Sequence, residues 1–301
     1  MASRPIGRAN VCGWGLGFCE WNGPIGRGAM NRGDFSKISL SRLLFTAALW
    51  KMGTSRLHKA AAWVRRRELS LELNSALGNS VLAGPFAGMI LPMEHSWRDG
   101  DFMPKLLGTY ESNLRGVLAE AVARNPASVV NVGCAEGYYA VGLARILPKA
   151  NIYAFDVAPK ARSTCARAAE ENSVADRVVI DNRFTAERLS RILESPGRVL
   201  IVMDCEGAER ELLDPEKLPG LARCDIIVET HGLDITSELE ARFRASHRVK
   251  RIAQGARDPN EVPELRRLDE SDRWLLVDEG RPESMMWLAC WADSAPAEPA
   301  R

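Results

Sequence analysis

Three side chains near the middle of the chain have the types needed for acid–base or cation chemistry. Asp204 and Glu229 each follow a short apolar run, and His231 lies two residues beyond Glu229. Two carboxylates and an imidazole can take a proton from a hydroxyl group. They can also hold a hard divalent cation such as Mg²⁺, with water completing its shell. A loop histidine and acids placed at a helix start are the plainer alternatives, and Glu206 and Glu209 fit the latter because a helix N-terminus favours acids. Upstream, the run Asn131-Val132-Gly133-Cys134-Ala135-Glu136-Gly137-Tyr138 places two glycines around a turn from an apolar run into a helical pattern. Glycine there permits positive φ or close backbone approach. The spacing lacks the third glycine of dinucleotide-binding turns, and no phosphate-loop lysine is present. Asp156 ends the next apolar run, where an acid can accept both hydroxyls of a ribose or stabilise the following helix start. Asp181 and Asn182 end a third run and can bond an adenine edge, with Phe184 stacking on it, or form a plain turn.

These residues need elements to position them. Apolar, β-branched runs occur at 128–132, 151–155, 177–180, 199–203, 225–228, 247–253 and 285–291. Helical patterns alternate with them at 138–147, 159–172, 186–193 and 208–218. That rhythm predicts an α/β fold: a Rossmann-like, doubly wound, mostly parallel seven-stranded sheet with helices on both faces, the last strand antiparallel. In such sheets ligands bind beyond the carboxyl ends of the strands, which is where the residues above fall.

Before this core, residues 1–36 are rich in Gly and Arg and are expected to form a disordered leader. Met30 offers a second translation start, which would leave residues 1–29 outside the native chain. Residues 37–80 read as a basic helical extension in two stretches, with Gly53 and Ser55 between them. Its Arg65, Arg66 and Arg67 suit a solvated face or an anionic contact. Residues 81–126 read as a connector or lid with a helix over 110–125. His95, with Trp97, lies in this connector and suits a surface loop or the lining of a pocket. Residues 127–293 form the core, with 254–283 charged and loop-like, and 294–301 read as a tail. His58 and His247 receive no role.

The segments "VVNVGCAEGYYAVGLA", "IYAFD", "VLIVMDCEGAE" and "DIIVETH" resemble class I S-adenosylmethionine-dependent methyltransferases. The D-x-E-G-x-E run starting at Asp204 is similar to the FkbM-like branch. The resemblance spans residues 104–292. It implies that Gly133, Cys134, Ala135, Glu136, Gly137 and Tyr138 face the methionine part of S-adenosyl-L-methionine and that Asp156 faces its ribose. Asn131 stands where many relatives carry an acid, so the contact to the cofactor's ammonium group passes to Tyr110 or Glu111, unless these simply begin a helix. Asp204, Glu229 and His231 would then act on the acceptor, with or without Mg²⁺. The implied reaction is methylation of a hydroxyl on a small molecule or glycan. The alternatives are a non-catalytic binding protein on a degenerate fold, for which Asn131 speaks, and a nucleic-acid methyltransferase docked by the basic N-terminus. The latter is disfavoured because acids at the acceptor site repel phosphates and no N/D-P-P-Y type of motif is present.

Composition bounds the remaining classes. The 301 residues are 46% hydrophobic and 26% charged, with net charge +1, which excludes a wholly disordered or collagenous chain. The +1 is a cancellation: residues 1–70 hold 12 Lys or Arg against 3 Asp or Glu, and the rest hold 28 against 36. Seven cysteines without a CxxC pair suit reduced thiols and a cytoplasmic protein. No apolar run is long enough to span a membrane. Homo-oligomerisation stays open.

Overall fold

The computed structural model describes residues 54–92, 101–281 and 285–293. The expected leader, the first helical stretch of the extension, His95, Trp97 and the expected tail lie outside the described residues.

Seven strands form one sheet: β1 (Ser128–Val132), β2 (Asn151–Phe155), β3 (Val178–Asp181), β4 (Val199–Met203), β5 (Cys224–Thr230), β6 (His247–Ala253) and β7 (Met286–Ala292). Their order is β3-β2-β1-β4-β5-β7-β6. β1 to β5 run parallel, and β7 is antiparallel to both β5 and β6. The order in which strands are added reverses between β1 and β4, which creates the crevice where ligands bind in open α/β sheets. β1, β4 and β5 are buried along their full length. Central strands covered on both faces become continuous Val/Ile/Leu runs.

Helices cover both faces. One apolar layer packs Val129, Ile152, Leu200, Val202 and Ile227 beneath α3 (Arg115–Ala123), α4 (Tyr138–Ile146) and α5 (Pro159–Glu171). The other packs Val130, Val132, Ile201 and Val228 beneath α6 (Ala186–Ile192) and α8 (Leu233–Phe243). Val129 and Val130 thus point to opposite faces, as the strand period of two requires. Phe184 lies in this second layer, 4% exposed, with its ring 5.7 Å from that of Phe155. Its ring is part of the core, not an open adenine platform.

Four elements depart from the sequence reading. The helix expected over 208–218 is only α7 (Glu209–Leu212), because Pro215 and Pro219 each remove a backbone donor. The charged stretch 254–283 contains α9 (Glu270–Val277), which buries Leu276 and Val277. The connector contains α2 (Phe102–Leu107), buried at every position. The helix expected from residue 110 begins at Arg115, after a 3-10 turn over Ser112–Leu114 and Glu111 at φ 46°.

Helix α1 (Thr54–Leu77) runs along α9. Arg65 binds Asp272 at 2.6 Å, and Arg66 donates to the Leu275 carbonyl at 3.0 Å and pairs with Asp278. Two of the three clustered arginines therefore meet the acidic body of their own chain.

Strand register aligns the chemistry. Val132 stands level with Phe155 on β2 and Met203 on β4, and Met203 with Val228 on β5. The next residue on each strand is Gly133, Asp156, Asp204 or Glu229, so these form one row across the sheet edge. Adjacent strands lie about 4.8 Å apart. A Cβ on Gly133, at φ 78°, would fall 1.6 Å from the Asp204 carbonyl oxygen. We predict that Gly133→Ala forces the ends of β1 and β4 apart. It should lower the unfolding free energy by about 3 kcal/mol or more, read by chemical denaturation. Unchanged stability would contradict the close approach.

Candidate active site at the strand ends

The turn after β1 is held by the protein's own bonds. The N–H groups of Gly133 and Cys134 donate to the Phe155 carbonyl at 2.8 and 3.0 Å, and that of Gly137 donates to Cys134 at 2.7 Å. Ala135 N–H donates to Asp156 Oδ2 at 3.0 Å, while Asp156 Oδ1 accepts from Ala158 N–H at 2.8 Å. Gly137, at φ 96°, leaves room for Cys165 Sγ and Val141 Cγ2, each 3.0 Å from where its Cβ would be. Both glycines therefore serve backbone packing. Asp156 joins the β1 and β2 turns, is 6% exposed, and keeps a lone-pair site on each oxygen.

Asn131 is 1% exposed. Its Nδ2 donates to the Val202 carbonyl at 3.1 Å, and its buried Oδ1 has no hydrogen-bond partner among the described residues. Such an acceptor is costly unless a ligand or water completes it.

Glu136 meets the connector. Lys105 on α2 bonds Glu136 at 2.5 Å and Asp101 at 2.5 Å, and its ammonium lies 4.6 Å from the Tyr110 ring centre. Burial lowers the pKa of Lys105, but the two carboxylates outweigh it and the ammonium stays charged. Tyr110 and Tyr138 meet edge to face at 5.3 Å. At the far edge, Asp181 pairs with Arg188 and accepts from Asn182 N–H at 2.6 Å, while Asn182 is exposed. Phe155 pairs with Asp181, so Asn182 stands at the level of Asp156 and Asp181 one residue before it.

His231, Asp204 and Glu206 converge. His231 Nδ1 lies 2.9 Å from Glu209 Oε1, and Nε2 lies 3.7 Å from Asp204 Oδ1 and 3.6 Å from Glu206 Oε2. Glu209 is fully buried, and the same Oε1 also accepts the N–H groups of Cys205 and Gly207 at 3.3 and 3.1 Å. Burial raises the Glu209 pKa, but the bonds from His231 and Gly207 outweigh it, so it stays a carboxylate. It therefore accepts Nδ1–H and leaves His231 Nε2 as the proton acceptor. Burial lowers the pKa of His231, yet Glu209, Asp204 and Glu206 together raise it above 6.5. Asp204 Oδ1 is buried without a hydrogen-bond partner. Asp204, Glu206 and His231 can offer ligand atoms within 4.8 Å of one another. Glu206, not the expected Glu229, completes that group.

Glu229 faces another cation. Arg281 pairs with Glu229 and Glu111 and bonds Glu279 at 2.7 Å. Arg257 bonds Glu279 at 2.5 Å. Glu111 also accepts from the Tyr139 hydroxyl. Burial drives the Glu229 pKa upward, the nearby Asp204 and Glu111 carboxylates add to it, and Arg281 opposes them. Burial likewise pushes Glu111 up to about 7, against the pull of Arg281. Tyr110 and Glu111 thus pack around Lys105 and Arg281.

Sequence reading missed Lys105, Tyr139, Arg257, Glu279 and Arg281. The spacing of the D-x-E-G-x-E run could have marked Glu209, since it brings the last acid back to its own turn. Arg281 had little local signal, because apart from Glu279 its partners Glu111 and Glu229 lie 170 and 52 residues away.

No family model and no curated protein matches the chain. Several of the solved structures similar to it are named methyltransferases, and one is named a precorrin 8w decarboxylase. The precorrin-6y C5,15-methyltransferase from Geobacter metallireducens GS-15 is 15% identical, over 60% of this chain and 89% of that one, with TM-score 0.38. The O-methyltransferase TomG from Streptomyces achromogenes, solved with SAM, is 13% identical, over 62% and 82%, with TM-score 0.41. The METTL16 methyltransferase domain is 12% identical, over 77% and 96%, with TM-score 0.46. The chemistry of the site rests on its own residues.

Glu111 supplies a pH test. Its folded pKa of about 7 exceeds the ordinary 4.5, so the folded state holds its proton more tightly. The stability it contributes is complete below about pH 4.5 and is lost as pH rises through 7. Glu111→Gln should flatten that fall by up to about 1.4 kcal/mol per pH unit, read from urea unfolding between these values. An unchanged slope would refute the assignment.

Proposed function

We propose that the protein transfers a methyl group from S-adenosyl-L-methionine to a hydroxyl oxygen of a small molecule or glycan. The observation that carries this reading is the aligned row at the switch point. It sets the Asp156 carboxylate beside the glycine turn, with Asp204 and the Glu209-oriented His231 further along the same edge. Asp156, with its free lone pairs, suits two ribose hydroxyls, and the buried, unpaired Oδ1 of Asn131 suits an ammonium donor. The similarity of 204–209 to the FkbM-like branch is part of the same proposal.

When bound, S-adenosyl-L-methionine supplies an electrophilic methyl on a sulfonium. An acceptor oxygen would take that methyl in line, the O–C bond forming as the S–C bond breaks, and His231 Nε2 would take the hydroxyl proton. Glu209 holds Nδ1–H throughout, and Asp204 and Glu206 stabilise the resulting imidazolium. The chain's task is mainly positioning.

The Asp204, Glu206 and His231 group favours a second reading, in which Mg²⁺ binds there and polarises the hydroxyl. Nε2 would then ligate the metal and could not act as the base. The two differ in one measurement. On the first reading, chelation leaves the rate unchanged. His231→Gln lowers kcat by about 10²-fold or more with unchanged cofactor affinity, and it removes the acid limb of the pH profile, whose midpoint lies above 6.5. A rate abolished by chelator and restored by Mg²⁺ selects the second.

Cofactor binding is tested separately by titration calorimetry. Asp156→Asn should weaken S-adenosyl-L-methionine binding about tenfold or more, the loss of a charge-assisted hydrogen bond. Absence of binding by the unaltered protein would overturn the reading. Binding with no turnover across an acceptor panel would favour a non-catalytic binding protein.

A further inference from the structure

The outward face of α1 carries exposed cations and large apolar side chains together. Its inner side meets the body through Leu69, which is 1% exposed, and through Arg65 and Arg66. At 100° per residue, Arg56, Lys59, Ala60, Trp63, Val64, Arg67 and Leu71 fall within one sector of about 140° on the other side, and all are exposed. Trp63 is 50%, Val64 48% and Leu71 54% exposed. The Arg67 guanidinium lies 5.7 Å from the Trp63 ring centre. No carboxylate falls in that sector between residues 56 and 71. Glu68 starts the flank beyond Val64 and bonds Arg65 at 3.5 Å.

Three large apolar side chains interleaved with three cations suit one surface in particular. At an anionic bilayer, the Trp, Val and Leu side chains enter the headgroup boundary while Arg and Lys meet lipid phosphates. A nucleic-acid backbone satisfies the cations but offers nothing to Val64 and Leu71. The preceding sequence has the same character: residues 40–52 include Leu40, Leu43, Leu44, Phe45, Leu49 and Trp50 with Arg42 and Lys51. The body beyond residue 70 is acidic, with 28 basic against 36 acidic residues, so lipid charge selects α1 and repels the rest. Among the described residues no helix is long and apolar enough to cross a membrane.

We propose that the outward face of α1 docks the protein on an anionic membrane surface. The proposal is independent of the transfer chemistry. The full chain should co-float with phosphatidylcholine vesicles containing phosphatidylglycerol and not with phosphatidylcholine alone, and added salt should weaken binding. The double substitution Trp63→Ser and Leu71→Ser should reduce binding about tenfold or more. Its circular dichroism and thermal unfolding should match the unaltered chain, since both residues face outward. The separate double substitution Arg56→Gln and Lys59→Gln should also weaken binding and flatten its salt dependence. Failure of the unaltered chain to bind anionic vesicles would overturn the proposal. So would full binding by the Trp63/Leu71 variant, which would assign the affinity to another segment. Oligonucleotide binding that competes with the vesicles and survives the Trp63/Leu71 substitutions would also overturn it, in favour of nucleic acid.

Discussion

At the edge between β1 and β4, two backbones approach so closely that no side chain fits. Gly133 leaves only hydrogen where the Asp204 carbonyl stands, and Asp204 N–H in turn donates to the Val132 carbonyl at 2.9 Å. This contact extends the β1–β4 ladder one residue past the regular strands. It thereby fixes the height at which the β4 turn leaves the sheet. Because β2 and β5 share that register, the positions of Asp156 and Glu229 follow from it. The glycine is needed for packing, and the site inherits its alignment from that need.

Alignment alone would gather carboxylates that repel one another. Asp204, Glu229, Glu111 and Glu279 lie around one region, and burying charge in a low-dielectric setting is costly without partners. The fold answers this in two ways. Arg281 and Arg257 enter from the 254–281 segment and hold the acids that face the antiparallel side of the sheet. Burial and mutual repulsion raise the pKa of Glu229, so that neighbouring acids need not all be charged. On the other side of Asp204, His231 takes the counter-charge, oriented by Glu209. Asp204 thus lies between a neutralised cluster and an imidazole, and its own Oδ1 is left without a hydrogen bond.

The same balance of charge operates at the periphery. Arg65 and Arg66 fasten α1 to Asp272 and Asp278 on α9, so part of the basic extension neutralises the acidic body directly. The remaining cations of α1 face outward with Trp63 and Leu71 between them. The near-zero net charge of the chain is therefore the sum of a basic first 70 residues and an acidic remainder, and Arg65 and Arg66 pair with that remainder.

The sequence by itself determined the strands and their ends. Buried parallel strands must be continuous apolar runs, and glycine and acid residues at their termini stand out against that background. Asp156, Asp204, Glu229 and His231 were legible for this reason. The proline-limited α7 and the buried α2 and α9 were harder to read, because short helices draw their stability from packing and leave little periodicity. Only the tertiary structure decided which acid faces which cation. Glu206 joins Asp204 beside His231, while Glu229, next to Asp204, pairs with Arg281, because side-chain pairing depends on distances between segments far apart in the chain. Phe184 was decided the same way: its type suited a stacking platform, and the second apolar layer claimed its ring. Local pattern sets where a strand must end, whereas the charge state of the groups there depends on burial and neighbours that exist only once the chain has folded.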